Sequence, residues 1–248
     1  MIAYIARGMV LLALIGMLFL MICGCLYLKN LFHKDKKDTE TVNSALTTVT
    51  ENSEDSEKEI ENETGETYNG EISIVLDAGH GGYDGGTVSG EIYEKDIVFS
   101  VVQKMQKLLE QKGYTVILTR KEDKFISLEE RVETANQSEA DLFLSIHCNY
   151  FEKDSQVKGL ECYYWKDDTD GKQYAEQLIN AIKKRGLIEC RNAKSENYYV
   201  IKNTKMPAIL VELGYLSNRA ECIQLSDEEY QNELAQELVE SILQSIMV

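Results

Sequence analysis

Three histidines occur in the chain, and two of them follow short apolar runs. His80 lies in a glycine-rich turn, Asp77-Ala78-Gly79-His80-Gly81-Gly82-Tyr83-Asp84-Gly85-Gly86, directly after Ile72-Ser73-Ile74-Val75-Leu76. His147 follows Leu142-Phe143-Leu144-Ser145-Ile146, and a third run, Ala208-Ile209-Leu210-Val211, ends at Glu212. Imidazoles and carboxylates suit a divalent ion such as zinc, and a catalytic zinc keeps three protein ligands and an open position for water. With two histidines, the third ligand must be a carboxylate or a thiolate. Glu212, Glu94 and Glu91 are all candidates by spacing. Cys148 is a poor one, because its side chain points to the opposite face of an extended segment from that of its neighbour His147. Hydrolysis also needs a general base, a role for a second carboxylate. Each residue has an ordinary competitor. A strand-end histidine is often structural, an acid such as Glu94 is favoured at a helix start by the macrodipole alone, and Glu212 could pair with Arg120 or Arg131. His33, among lysines, reads as a solvated polar residue.

Other chemistries are excluded by pattern. With Gly79 and Gly81 opening G-x-G-x-x-G, the third glycine position is Asp84, so the dinucleotide fingerprint fails. No Gly-Lys-Ser/Thr follows the turn, and the chain lacks H-E-x-x-H and G-x-S-x-G. A net charge of −16 argues against nucleic acid as a partner. No C-x-x-C occurs, so Cys148, Cys162, Cys190 and Cys222 read as buried free thiols.

Those residues need a scaffold, and the pattern from residue 71 onward alternates strand with helix. Strands are expected at 72–77, 114–119, 141–146, 160–165, 198–201 and 208–211. Helices are expected at 94–112, with an apolar stripe ended by Gly113, at 127–137, where Ser127 and Glu130 make a capping box, at 170–185, and from 226 to the end. Such alternation implies a three-layer α/β/α sandwich around a mostly parallel or mixed sheet. Ligands in open sheets of this kind sit beyond the carboxyl ends of the strands, where His80, His147 and Glu212 fall.

Before the domain, residues 8–28 carry no charge over a length that spans a bilayer core as a helix. They are expected to be an uncleaved single-pass anchor; a secreted form, or a lipoprotein form using the Cys23–Cys25 stretch, is the alternative. Residues 38–66 hold ten acids against the single Lys58, a composition expected to give a disordered linker. The expected organisation is therefore an anchor region at 1–33, an acidic linker at 34–70 and one catalytic domain at 71–248, with no further module after it. Lysines at 29, 34, 36 and 37 would place the domain in the cytoplasm by the positive-inside rule.

The stretches IVLDAGHGGYDGG, EKDIVFSV, TVILTRKED, LEERVETANQSEADLFLSIHCN and PAILVELGYLSN together resemble the zinc-dependent N-acetylmuramoyl-L-alanine amidases of the amidase-3 group, in the family's order and across about residues 72–245. The resemblance implies one zinc ion held by His80, Glu94 and His147, with Glu212 as catalytic acid/base. It also implies cleavage of the amide between N-acetylmuramic acid and L-alanine in peptidoglycan, in wall remodelling or in the spore cortex. Arg131, Asn136 and Asn149 match positions the family keeps; Arg131 and Asn149 are candidates for supporting the ligands or touching substrate. Two departures stand out: Tyr83-Asp84-Gly85-Gly86-Thr87 replaces a proline- and alanine-containing turn, which is expected to touch loop stiffness and not ligation, and Cys148 replaces alanine or serine. A wall substrate places the domain outside the cytoplasmic membrane, against the charge bias. A protein regulator is compatible with this layout. Two rival readings remain at this stage: a zinc amidohydrolase or peptidase acting on another peptide-like substrate, and a catalytically silent wall-binding module.

Overall fold

The structure, a computed structural model, describes residues 72–246. The expected anchor at 8–28 and linker at 34–70 lie outside them. Among the described residues no helix is long and apolar enough to cross a membrane.

A six-stranded sheet carries the site. Its strands are β1 (Ser73–Ala78), β4 (Thr115–Leu118), β5 (Leu142–Asn149), β6 (Leu160–Tyr164), β7 (Cys190–Ser195) and β8 (Ala208–Tyr215), in the order β4-β1-β5-β8-β6-β7. Strands β4, β1, β5 and β8 run parallel; β6 is antiparallel to β8, and β7 runs parallel to β6. A short hairpin of β2 (Val88–Ser89) and β3 (Ile92–Tyr93) follows the glycine turn. The helices are α1 (Glu94–Gln111), α2 (Leu128–Ser138), α3 (Thr169–Arg185), α4 (Tyr199–Asn203), α5 (Arg219–Ser226) and α6 (Glu228–Ile246).

Alternation along the strands divides the core in two, because successive side chains point to opposite faces. Ile74, Leu76, Ile146, Cys148, Val211 and Leu213 pack with α1, α3, α5 and α6 in the larger cluster. Val75, Phe143, Leu210 and Tyr163 pack with Val132 and Ala135 of α2 and Val200 and Ile201 of α4 in the smaller one. Asp77, Ser145, His147, Glu212 and Glu161 share that second face by the same parity. The polar residues of the site therefore continue rows whose other members are core.

Local chemistry fixes the helix ends. Ser127 and Glu130 close the expected capping box at α2, Asp168 caps α3 through Gly171 N–H, and Gly186, with φ 69°, ends α3 in the left-handed region. Three expectations fail. Residues 198–201 form the short helix α4 rather than a strand; its Val200 and Ile201 are buried against the sheet, which an isolated aromatic and β-branched run does not reveal. β7 was not expected, because Cys190-Arg191-Asn192-Ala193-Lys194-Ser195 is too polar to read as a strand. It lies at a sheet edge, where charge is favoured. The long helix expected from 226 is present as α6, entered where Asp227 turns extended and its side chain caps α6 through Tyr230 N–H; the short helix α5 just before it stands where no element was expected.

Candidate metal centre

The glycine turn is shaped around one imidazole. β1 ends at Ala78, and Gly79 N–H still donates to Ile146 O at 3.1 Å, carrying the ladder one residue further. His80 then takes φ 58°, a left-handed conformation costly for a residue with a Cβ. Arg131 holds it there: its guanidinium pairs with Asp77 at 2.6 Å and donates to the carbonyls of Ala78 and His80. Arg120, also buried, donates to the carbonyls of Ala78 and Gly79. Neither arginine partners Glu212, so the competing ion-pair reading of Glu212 falls. Asp77 is fully buried; although burial disfavours its charge, Arg131, Thr119 and Ser145 together hold its carboxyl below the usual range.

His80, Glu94 and His147 converge, with one ligand atom from each lying within 4.8 Å of the others. His80 Nε2 lies 3.1 Å and His147 Nδ1 2.9 Å from the same atom, Glu94 Oε1. The two rings meet edge to face, 4.9 Å between centroids. Glu94 opens α1 and is buried. Its Oε1 also accepts Cys148 N–H, and its Oε2 accepts Thr87 N–H. Burial alone would raise its pKa, but hydrogen bonds from His147 and His80 hold the carboxyl well below the usual range. Glu91, the spacing alternative, is exposed beside β3 and belongs to no such group.

Asp84 was missed as a contact. Its Oδ2 lies 2.9 Å from His80 Nδ1, and its Oδ1 accepts Gly86 N–H. A carboxylate on the far nitrogen fixes the tautomer that leaves Nε2 facing the centre. Asp84 therefore bears on how the His80 ring is oriented. A histidine followed four residues later by an acid inside a glycine turn was the available signal. Burial works against protonation of His80, but Glu94 and Asp84 outweigh it and push the ring up to about 9; His147 is raised for the same reason, by Glu94 first.

The glycines permit close approach. A Cβ on Gly79 would stand 2.2 Å from the His147 ring, and one on Gly86, at φ 66°, would stand 2.6 Å from both Glu94 Oε2 and His80. Backbone lies where side chains would displace the ligands.

Glu212 sits beside His147 in register across β5 and β8. It is buried, and its Oε2 is one of two buried side-chain oxygens among the described residues without a hydrogen-bond partner. Burial, with the anions of Glu94 and Glu161 adding and the imidazoles opposing, pushes its carboxyl up to about 7. A carboxylate poised near neutrality with an idle oxygen has the character of a proton acceptor. Two imidazoles and a carboxylate match the donors and count of a catalytic zinc centre, and Glu212 places an unpartnered carboxyl beside them. Asn149 ends β5 with its Oδ1 accepting Tyr150 N–H, and Asn136 ties α2 to the loop before Pro207 through Asn203 O and Lys205 N–H. The Cys148 thiol is buried in the opposite core, and burial raises its pKa well above the ordinary value, so it stays protonated.

Residues 74–244 match the family model described as N-acetylmuramoyl-L-alanine amidase. The probable cell wall amidase LytH of Staphylococcus aureus is 37% identical over 173 residues, which cover 68% of this chain and 57% of that protein. The chain thus spans 57% of the length of these curated relatives. Among solved structures, the N-acetylmuramoyl-L-alanine amidase AmiC2 of Nostoc punctiforme superposes with TM-score 0.68 at 36% identity, covering 72% of this chain and 99% of that one. The CwlD amidase of Clostridioides difficile, solved in complex with the GerS lipoprotein, superposes with TM-score 0.67 at 33% identity, covering 71% of this chain and 98% of that one.

Proposed function

Because the chain belongs to the N-acetylmuramoyl-L-alanine amidase family, we propose that it hydrolyses the amide joining N-acetylmuramic acid to the L-alanine of the peptidoglycan stem peptide. The observation that carries this reading is the convergence of His80, Glu94 and His147 beside the buried, unpartnered carboxylate of Glu212. The three ligands would hold one Zn2+, which when bound supplies Lewis-acid polarisation of the scissile carbonyl and acidifies water. Glu94 would be one of the residues holding the ion, with Cys148 N–H and Thr87 N–H fixing its carboxylate. Asp84 keeps His80 turned through Nδ1. Glu212 takes the proton of the attacking water and returns it to the departing amine, a cycle that a carboxyl near 7 performs in both directions.

Digestion of purified sacculi, with and without a chelator, tests the reaction. The expected result is release of stem peptides with a free L-alanine amino group, seen by mass, and its loss on chelation. Cleavage of plain peptides instead would favour a general peptidase, and intact sacculi under zinc would overturn the proposal. The cellular role is wall remodelling or modification of the spore cortex, and residues 8–28 anchor the chain to the cytoplasmic membrane with the domain outside it. A lipoprotein partner, as on the Clostridioides difficile relative, is a candidate regulator. Protease treatment of intact protoplasts is expected to remove the domain; protection would place it in the cytoplasm.

A further inference from the structure

His147, Glu212 and Glu161 occupy one register row across three neighbouring strands, since β5 pairs His147 with Glu212 and β8 pairs Glu212 with Glu161. Residues directly opposite in a sheet share a face. Glu161 is therefore next in line after the base, yet it is fully buried and engaged on both oxygens. The hydroxyls of Tyr163 and Tyr215 donate to its Oε2 at 2.6 and 2.8 Å. Arg191 Nε and Lys194 Nζ, both from β7, donate to its Oε1 at 2.7 and 2.5 Å.

One buried anion thus gathers two cations at the sheet edge, and the group carries a net positive charge in a chain whose net charge is −16. Satisfying Glu161 needs only one of them. Their side chains are 42% and 44% exposed. Arg191 meets Glu161 through Nε, so its fork of terminal N–H groups, the part suited to a carboxylate, is not what holds it in place. Tyr198 neighbours both acids of this row, Glu212 and Glu161. It is partly exposed, packs edge to face on Tyr163 at 5.4 Å, and is close enough to Glu212 for that carboxylate, after burial, to raise its hydroxyl. Glu212 and the pair of Arg191 and Lys194 are thus joined through Glu161 on one face of the sheet, with the half-exposed cations at its edge.

We propose that Arg191 and Lys194, fixed by Glu161, form a subsite for a carboxylate of the stem peptide. The proposal rests on the amidase reading for the substrate's identity. Strands lie about 4.8 Å apart, so β7 stands roughly 10 Å from β8. An extended peptide covers about 3.3–3.6 Å per residue, which places the bound carboxylate roughly three residues from the scissile amide. The glycan, carrying hydroxyls and acetamides, offers no such anion.

Arg191→Gln and Lys194→Gln each keep an N–H donor near Glu161 while removing a charge, and they are tested singly and together. Two muropeptides serve as substrates: one with its peptide carboxylates free, the other with them amidated. On the free acid each variant is expected to raise KM about tenfold, the size of one charge-assisted hydrogen bond, with kcat within twofold. On the amidated substrate KM stays near the wild-type value, which also verifies the fold of the same preparation. Equal changes on both substrates, or none on either, overturn the subsite. Binding of the two muropeptides to chelated wild-type chain, by titration calorimetry, separates this proposal from the catalytic one. Tighter binding of the free acid without any cleavage by zinc-loaded chain keeps the subsite and sinks the amidase reading. Cleavage with no preference between the two does the reverse.

Discussion

At the scale of residues, the proposed function puts ligation and proton transfer on different side chains, and variants should separate them. Glu212→Gln removes the acceptor but touches none of the three ligands, so it is expected to abolish turnover while zinc, measured by metal analysis, remains bound. His80→Ala is expected to lose both. Asp84→Asn tests the support of His80: loss of the carboxylate on His80 Nδ1 is expected to weaken zinc about 10- to 100-fold, by competition with a chromophoric chelator. Unchanged affinity would show that Asp84 serves only the loop. The histidines and Glu212 were legible because each follows an apolar run that could only be a strand. Glu94 was not separable from Glu91 by spacing, since only the hairpin between the turn and α1 decides which carboxylate is buried. Asp84 and Glu161 were missed because their partners depend on a turn and on sheet register, neither of which is written in local composition.

Elements hold those residues in place chiefly through β1. Asp77 is tied to Thr119 after β4, Ser145 of β5 and Arg131 of α2, so one buried carboxylate joins three elements under the His80 turn. Asp77→Asn leaves the Arg131 guanidinium buried without its counter-charge and is expected to cost about 3–5 kcal/mol in denaturant unfolding. The sign with pH follows from direction. Asp77 and Glu161 both have folded pKa values below their unfolded ones, Glu161 at about 2 with burial opposed by Lys194, Tyr163, Tyr215 and Arg191. Their contribution is present above the ordinary carboxylate range and is lost as pH falls from there toward about 2. Thermal unfolding across that window is expected to show a steep loss of stability in wild type and a shallower one in Asp77→Asn. The inner strands β1, β5 and β8 were readable because their apolar runs are buried on both faces. α4 and β7 were not: the first is a hydrophobic run short enough for packing to choose its form, the second an edge whose polarity hid it. α5 escaped because it is short and buries only Glu221, Cys222 and Leu225, too few positions to show a helical stripe.

At the scale of the whole molecule, the candidate site lies within the described residues, since its three candidate ligands, Glu212 and the Asp77 brace come from Asp77 to Glu212. The first 70 residues contribute an apolar stretch and an acidic one. Catalysis and placement are therefore expected to come apart on truncation. A chain of residues 71–248 should cleave soluble muropeptides at the full-length rate, whereas only the full-length chain should sediment with membranes and survive an alkaline carbonate wash. Restoring sedimentation by grafting residues 1–33 alone onto 71–248 would assign placement to the apolar stretch and leave the acidic segment as a spacer. If the truncated chain lost its rate on soluble substrate, the first 70 residues would be part of the enzyme. If the full chain stayed in the supernatant, residues 8–28 would not be an anchor, and the wall itself would have to hold the domain near its substrate.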